Sequence, residues 1–127
     1  MSAQKWLSPR EIYAPPPMDY EAHNAAVDAV WDSYNRGAPQ RVPMILGVNC
    51  RYILQDRALN PDRIAFYDYF NDPDAMLQVN LRFAWYMRHF LPSDRHMGMP
   101  DSWDTAVSFM NTHDAEWFGG ALRYPDG

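Results

Sequence analysis

The side chains best equipped for chemistry in this sequence fall in two short polar clusters, each placed directly after an apolar run. Asn49-Cys50-Arg51-Tyr52 follows Val42-Pro43-Met44-Ile45-Leu46-Gly47-Val48, and Asn111-Thr112-His113-Asp114 follows Trp103-Asp104-Thr105-Ala106-Val107-Ser108-Phe109-Met110. Arg51 carries a planar guanidinium able to hold a substrate carboxylate through two parallel hydrogen bonds. A structural ion pair with one of the chain's many acids is its other use. Asn49, Tyr52, Asn111 and His113 add neutral hydrogen-bonding groups, so these five residues are the candidate substrate-binding set. His113 next to Asp114 has the residue types of a general base and its orienter, but chain neighbours do not face each other in regular structure, so the pair carries little information. No catalytic residue emerges from the pattern.

Cys50 is the single cysteine. It reads as a small buried residue at the end of an apolar run rather than as a nucleophile. One thiol forms no internal disulfide, and no paired Cys and His pattern for zinc can be built around it. His89 and His96 lie seven apart across Pro92 and offer no substitute. The expectation is a chain with no metal site of its own, in a reducing, cytoplasmic compartment.

If these clusters act together, elements of the fold must bring them to one place. Residues 1–18 contain Pro9 and the triplet Pro15-Pro16-Pro17, which remove backbone donors and fix φ, so an extended arm is expected there, docked by Trp6, Leu7, Ile12 and Tyr13. Asp19 then caps a helix running to about Arg36, with Val27, Val30, Trp31 and Tyr34 on one face and Gly37 at its end. The run 42–48 is short, apolar and without alternation, the pattern of a parallel strand covered on both faces. Asp72 as N-cap and Pro73 at the first helical position open a second helix to about Leu91. Met76, Val79, Phe83, Met87 and Phe90 form its expected buried stripe, which Leu77, Leu81, Ala84 and Leu91 widen. Residues 103–110 make a second strand candidate, and the order strand, helix, strand is that of a parallel sheet with a crossover helix. Both polar clusters would then sit beyond the carboxyl ends of strands, where ligands bind in such sheets.

Composition narrows the function classes. The chain has 127 residues, 15% of them aromatic and 47% hydrophobic, which suits one globular domain and excludes general disorder. Eleven Lys and Arg against sixteen Asp and Glu give a net charge of −5, opposite to what gripping nucleic acid requires. No stretch approaches the ~18 apolar residues of a membrane span, and the N-terminus lacks the apolar run of a signal peptide.

Several of these residues, taken in order, resemble a known group. Arg41-Val42-Pro43 entering an apolar run, then Arg51-Tyr52, then Asp72-Pro73 opening a long helix, is similar to the start of the uroporphyrinogen decarboxylase-like superfamily. Trp103-Asp104, Ala115-Glu116-Trp117-Phe118-Gly119 and Tyr124-Pro125-Asp126-Gly127 resemble its next stretch, so the likeness runs from about Glu21 to the last residue. The resemblance implies an α/β fold: N-terminal βα units of an incomplete (β/α)8 TIM-type barrel, with a helical, proline-rich N-terminal extension that begins with the extended arm of residues 1–18. It implies the chemistry of a haem-pathway decarboxylase, a lyase, or of corrinoid-linked methyltransferases.

Departures from the pattern separate these two branches. The decarboxylase places an Arg-Gln pair after its first strand, where this chain has Val48-Asn49-Cys50, and an Asp at the end of its second, where this chain has Asn111. A neutral amide cannot stabilise a protonated pyrrole-type intermediate as a carboxylate does. The methyltransferase-type branch therefore fits better. Its zinc, held by a His and two Cys of the later half of the barrel, and its corrinoid partner protein would belong to the intact enzyme. Since a barrel needs about 250 residues, residues 19–127 read as its N-terminal part, inactive alone and prone to self-association or to binding a partner chain. The competing reading is an autonomous small α/β binding module, or one half of a split barrel that another chain completes.

Overall fold

The computed structural model describes residues 14–107 and 113–125, with the side chain of His113 outside the description. Among the described residues five helices account for the regular structure: α1 (Tyr20–Asn35), α2 (Arg51–Gln55), α3 (Phe66–Asn71), α4 (Pro73–His89) and α5 (His113–Trp117). Among the described residues there is no strand and no sheet, which overturns the α/β expectation.

The two long helices begin where local chemistry requires. Asp19 accepts from the Ala22 amide at 3.0 Å, satisfying one of the amides that open α1. Asp72 does the same for Asp74 at 2.9 Å, with Pro73 in the first turn of α4. Gly37 ends α1 with φ +72°, a conformation that side-chain-bearing residues avoid.

α2 and α3 pack against α4, and the core lies among them. Ile53 and Leu54 of α2, Leu59, Tyr69 of α3 and Val79 of α4 are buried together, and Ile64, Phe66, Phe70, Met76, Phe83 and Tyr86 close around them. The loop joining α2 to α3 is held by one buried side chain. Asn60 Nδ2 donates to Leu54 O at 3.0 Å and Ile64 O at 2.9 Å, while its Oδ1 accepts from Ile64 N at 2.9 Å. Tyr124, far along the chain, lies against Tyr67 and Phe70 and accepts from Asn71.

The buried residues of α4 are Ala75, Val79, Arg82, Trp85 and His89, a stripe rotated from the expected one, with Leu77 exposed. Two of the five are polar, and each has a partner the hydrophobic pattern cannot show. Arg82 pairs with Asp62 and donates to Leu59 O at 3.2 Å. His89 stacks on Trp85 at 4.7 Å between centroids, bonds Trp85 O through Nδ1 at 2.8 Å and meets the edge of Tyr20.

α1 is tied mainly to the connection after α4. Asn24 exchanges two hydrogen bonds with the Met97 backbone (3.1 and 2.8 Å), Trp31 Nε1 donates to Asp94 O at 2.7 Å, and His96 meets Asp28 at 2.7 Å. Gly98 is required here, because it has φ +82° and an added Cβ would lie 2.9 Å from Tyr20 Cγ.

Neither expected strand forms among the described residues. Residues 42–48 adopt neither helix nor strand, and their apolar side chains are largely exposed, Val42 at 70% and Met44 at 60%. Residues 103–107 are likewise irregular; 108–110, the rest of that candidate, lie outside the described residues. The reason is pairing. A strand exists only through a neighbour that accepts and donates along its length, and Met44 instead spends its amide on Asp94 Oδ2 (2.5 Å) and its carbonyl on Asp94 N (2.8 Å). Without two strands there is no crossover for α4 to make. The expected proline-rich arm falls mostly in residues 1–13, outside the described residues, and 14–18 are irregular.

Candidate functional site: a cleft along the longest helix

Positions 80, 83, 84, 87 and 88 of α4 are spaced so that they share one helix face. Asn80, Phe83, Ala84, Met87 and Arg88 together form the floor of a cleft of about 540 Å3, within the range of small-molecule sites. The chain from Arg95 to Val107 forms the opposite wall, where Trp103 is the largest side chain. Residues 42–48 cross nearby, since a Cβ on Gly47 would lie 3.8 Å from Met87 Cε.

The two ends of the cleft differ in charge. At the carboxyl end of α4, Arg88 Nε donates to Gly98 O at 2.6 Å and Arg88 O accepts from Gly98 N at 3.0 Å, which folds the Arg95–His96 stretch back over the helix end. Arg88, Arg95 and His96 thereby line the same cleft. At the other end lies a neutral relay. Asn80 Nδ2 donates to Ala106 O at 2.9 Å, so its Oδ1 must face Tyr69, whose hydroxyl donates to it at 3.0 Å. The Cys50 sulfur lies 3.3 Å from the same hydroxyl and 3.8 Å from Asn49 Oδ1. Asn80 also borders a second cavity of about 390 Å3 lined by Phe70, Met76 and Leu77, and its bond to Ala106 lies at the partition between the two.

The residues expected to bind substrate do not assemble. Asn49 shapes the entry to α2, its Oδ1 accepting from Arg51 N at 2.9 Å. The Arg51 guanidinium lies over the Phe70 ring, 5.8 Å from its centroid, and among the described residues it pairs with no carboxylate. Tyr52 packs on Tyr86 and donates to Asp56 at 3.2 Å. Its pKa is pushed up to about 12, first by the neighbouring Tyr86 phenol and then by the Asp56 carboxylate, so it stays neutral at physiological pH. None of the three lines the cleft; their neighbour Cys50 does. Asn111 and the His113 side chain lie outside the described residues, though His113 opens α5.

A second polar assembly holds residues 41–44. Asp94 takes both terminal nitrogens of Arg41 (2.5 and 2.6 Å) as well as the Met44 amide. The Arg41 guanidinium and then the Met44 amide hold the Asp94 carboxyl down at about 2, well below its ordinary range.

The chemistry of the donors does not suit a zinc site of the kind the resemblance implies for the intact enzyme. Cys50 Sγ faces Tyr69 and Asn49, and among the described residues no three His, Cys, Asp or Glu come together. No helix among the described residues is long and apolar enough to cross a membrane. Comparison with models of protein families, with curated proteins and with solved structures finds no match to this chain.

The side chains that line the cleft were not singled out as functional by their types. Phe83 and Met87 fall in the stripe expected to be buried. The signal was their shared spacing on one helix face with polar residues at both ends.

Proposed function

We propose that this chain is the amino-terminal portion of a uroporphyrinogen decarboxylase-like protein, nearer the methyltransferase-type branch than the decarboxylase, and that it carries out no reaction unaided. The observation that carries this reading is the uncovered apolar run at 42–48, in the same stretch whose residue order bears the resemblance. Val42, Met44 and Ile45 are 70%, 60% and 46% exposed. Apolar surface left in water forgoes about 25 cal/mol per Å2 that another polypeptide segment would recover by covering it. The missing Arg-Gln pair and Asn111 in place of an acid support the methyltransferase side. A small-molecule substrate or a corrinoid-carrying protein would be the partner of the complete enzyme, in the cytoplasm. Arg51, free of any carboxylate among the described residues, would orient an acidic group there.

The test compares the chain with the longer polypeptide encoded when translation continues through the sequence that follows it in the genome. The longer protein should bind less hydrophobic dye per chain and transfer a methyl group from methylcobalamin to a thiol, while the chain alone should self-associate and show no transfer. A stop codon directly after Gly127, with a monomeric chain that neither binds dye nor copurifies with a second polypeptide, would refute the reading. The cleft along α4 favours a second reading, a self-contained helical module that binds a small molecule.

A further inference from the structure

We propose that the cleft between α4 and residues 95–107 binds a small amphipathic carboxylate, with an aromatic or aliphatic body on the apolar floor and its single anionic group at the Arg88 and Arg95 end. This site does not rest on the family reading above, because Phe83, Ala84, Met87, Arg88 and Arg95, which carry it, are not among the residues that bear the resemblance, although Trp103 and Asp104 in the opposite wall are.

Three observations converge on that ligand. The floor is apolar between two polar ends, for Phe83, Ala84 and Met87 separate Asn80 from Arg88, and eight residues of helix set those ends about 12 Å apart. That length accommodates a phenyl ring with a short acyl chain. Two arginines, Arg88 and Arg95, stand against one carboxylate, Asp104, among the described lining residues, so the described lining is locally positive in a chain of net charge −5. His96 adds no free charge, since its Nε2 is engaged by Asp28 at 2.7 Å. Hydrogen-bonding capacity is also unspent. Arg88 uses only Nε, toward Gly98 O, leaving both terminal nitrogens without a partner among the described residues, and no described group bonds the Arg95 guanidinium. A planar carboxylate fits such a fork, and a neutral or cationic head group does not.

The recognition is tested with 4-phenylbutyrate, 4-phenylbutan-1-ol and 4-phenylbutylamine, which share a body and differ in charge. Binding to the 127-residue chain is followed by amide chemical shifts. The carboxylate should saturate with shifts concentrated in α4 and residues 95–107, and bind about fivefold or more tighter than the alcohol, with the amine weakest. Arg95→Gln, at an exposed position that leaves the fold intact, should weaken the carboxylate about threefold and leave the alcohol unchanged, and Asp104→Asn should strengthen the carboxylate about twofold. Ala84→Leu, which fills the floor, should weaken all three. Equal affinities for the three compounds, shifts centred outside the cleft, or an Arg95→Gln variant that binds carboxylate as tightly as the unmodified chain would each overturn the proposal.

Discussion

Replacing Asn80 with Ala isolates a polar relay that joins α3, α4 and the chain after Trp103. The Tyr69 hydroxyl that donates to Asn80 belongs to a residue with no exposed surface, so water cannot take over when the amide is removed. A buried hydroxyl that loses its amide acceptor and keeps the weaker Cys50 sulfur 3.3 Å away loses about 1–3 kcal/mol, and Ala offsets roughly 0.5 kcal/mol of this through better helix propensity. The Ala106 tether adds little, being exposed. A net loss of about 1–2 kcal/mol follows, which at a urea slope of about 1.5 kcal/mol per M moves the midpoint down by roughly 1 M. Tyr69→Phe removes the donor instead. The half-exposed Asn80 carbonyl then finds water, so this change should cost only about 0.5–1.5 kcal/mol. In the Tyr69→Phe background Asn80→Ala should be nearly neutral, because the hydroxyl–amide bond is already gone. Urea unfolding of the four proteins, followed by circular dichroism, gives the cycle directly. An Asn80→Ala cost that is the same in both backgrounds would refute the relay.

Three further outcomes are expected. Asp94, with its pKa lowered from 3.8 to about 2, stabilises the clasp on residues 41–44 above about pH 4, and that stability is lost as pH falls through about 2; the difference in unfolding midpoint between the chain and Asp94→Asn should thus be constant near neutrality and shrink below pH 4. Gly98→Ala combines positive φ with a collision against Tyr20 and should cost about 1–3 kcal/mol in thermal or urea unfolding, whereas Gly37→Ala, with φ +72° but open space, should cost only about 1 kcal/mol. Asn60→Ala breaks three hydrogen bonds in a buried loop and should lower stability by about 2–4 kcal/mol, with amide exchange accelerating first at Ile64.

The candidate site was legible only in part. Cys50 was noticed but weighed as a lone thiol, while the residue that gives it a role, Tyr69, lies nineteen positions away and contacts it only through packing. Arg51 reads as an anion holder from its type, yet its guanidinium settles over Phe70, and the cations facing the cleft are Arg88 and Arg95. A residue's type limits what it can do; where its side chain ends up depends on neighbours distant in the chain.

The ends of α1 and α4 were determined by the sequence alone. Asp19, Gly37 and the Asp72-Pro73 pair act on atoms within about three residues, so no distant contact is needed to fix them. The short helices α2 and α3 carry too few turns for periodicity to reveal, and they exist because Ile53, Leu54 and Tyr69 are buried against α4. The buried stripe of α4 was rotated by Asp62 and Tyr20, which provide partners for Arg82 and His89 from outside the helix. Residues 42–48 make the contrast sharpest. Their apolar pattern states that the run seeks cover, but a strand is a relation between two segments, and the tertiary structure gives this one the Asp94 clasp in place of a neighbouring strand.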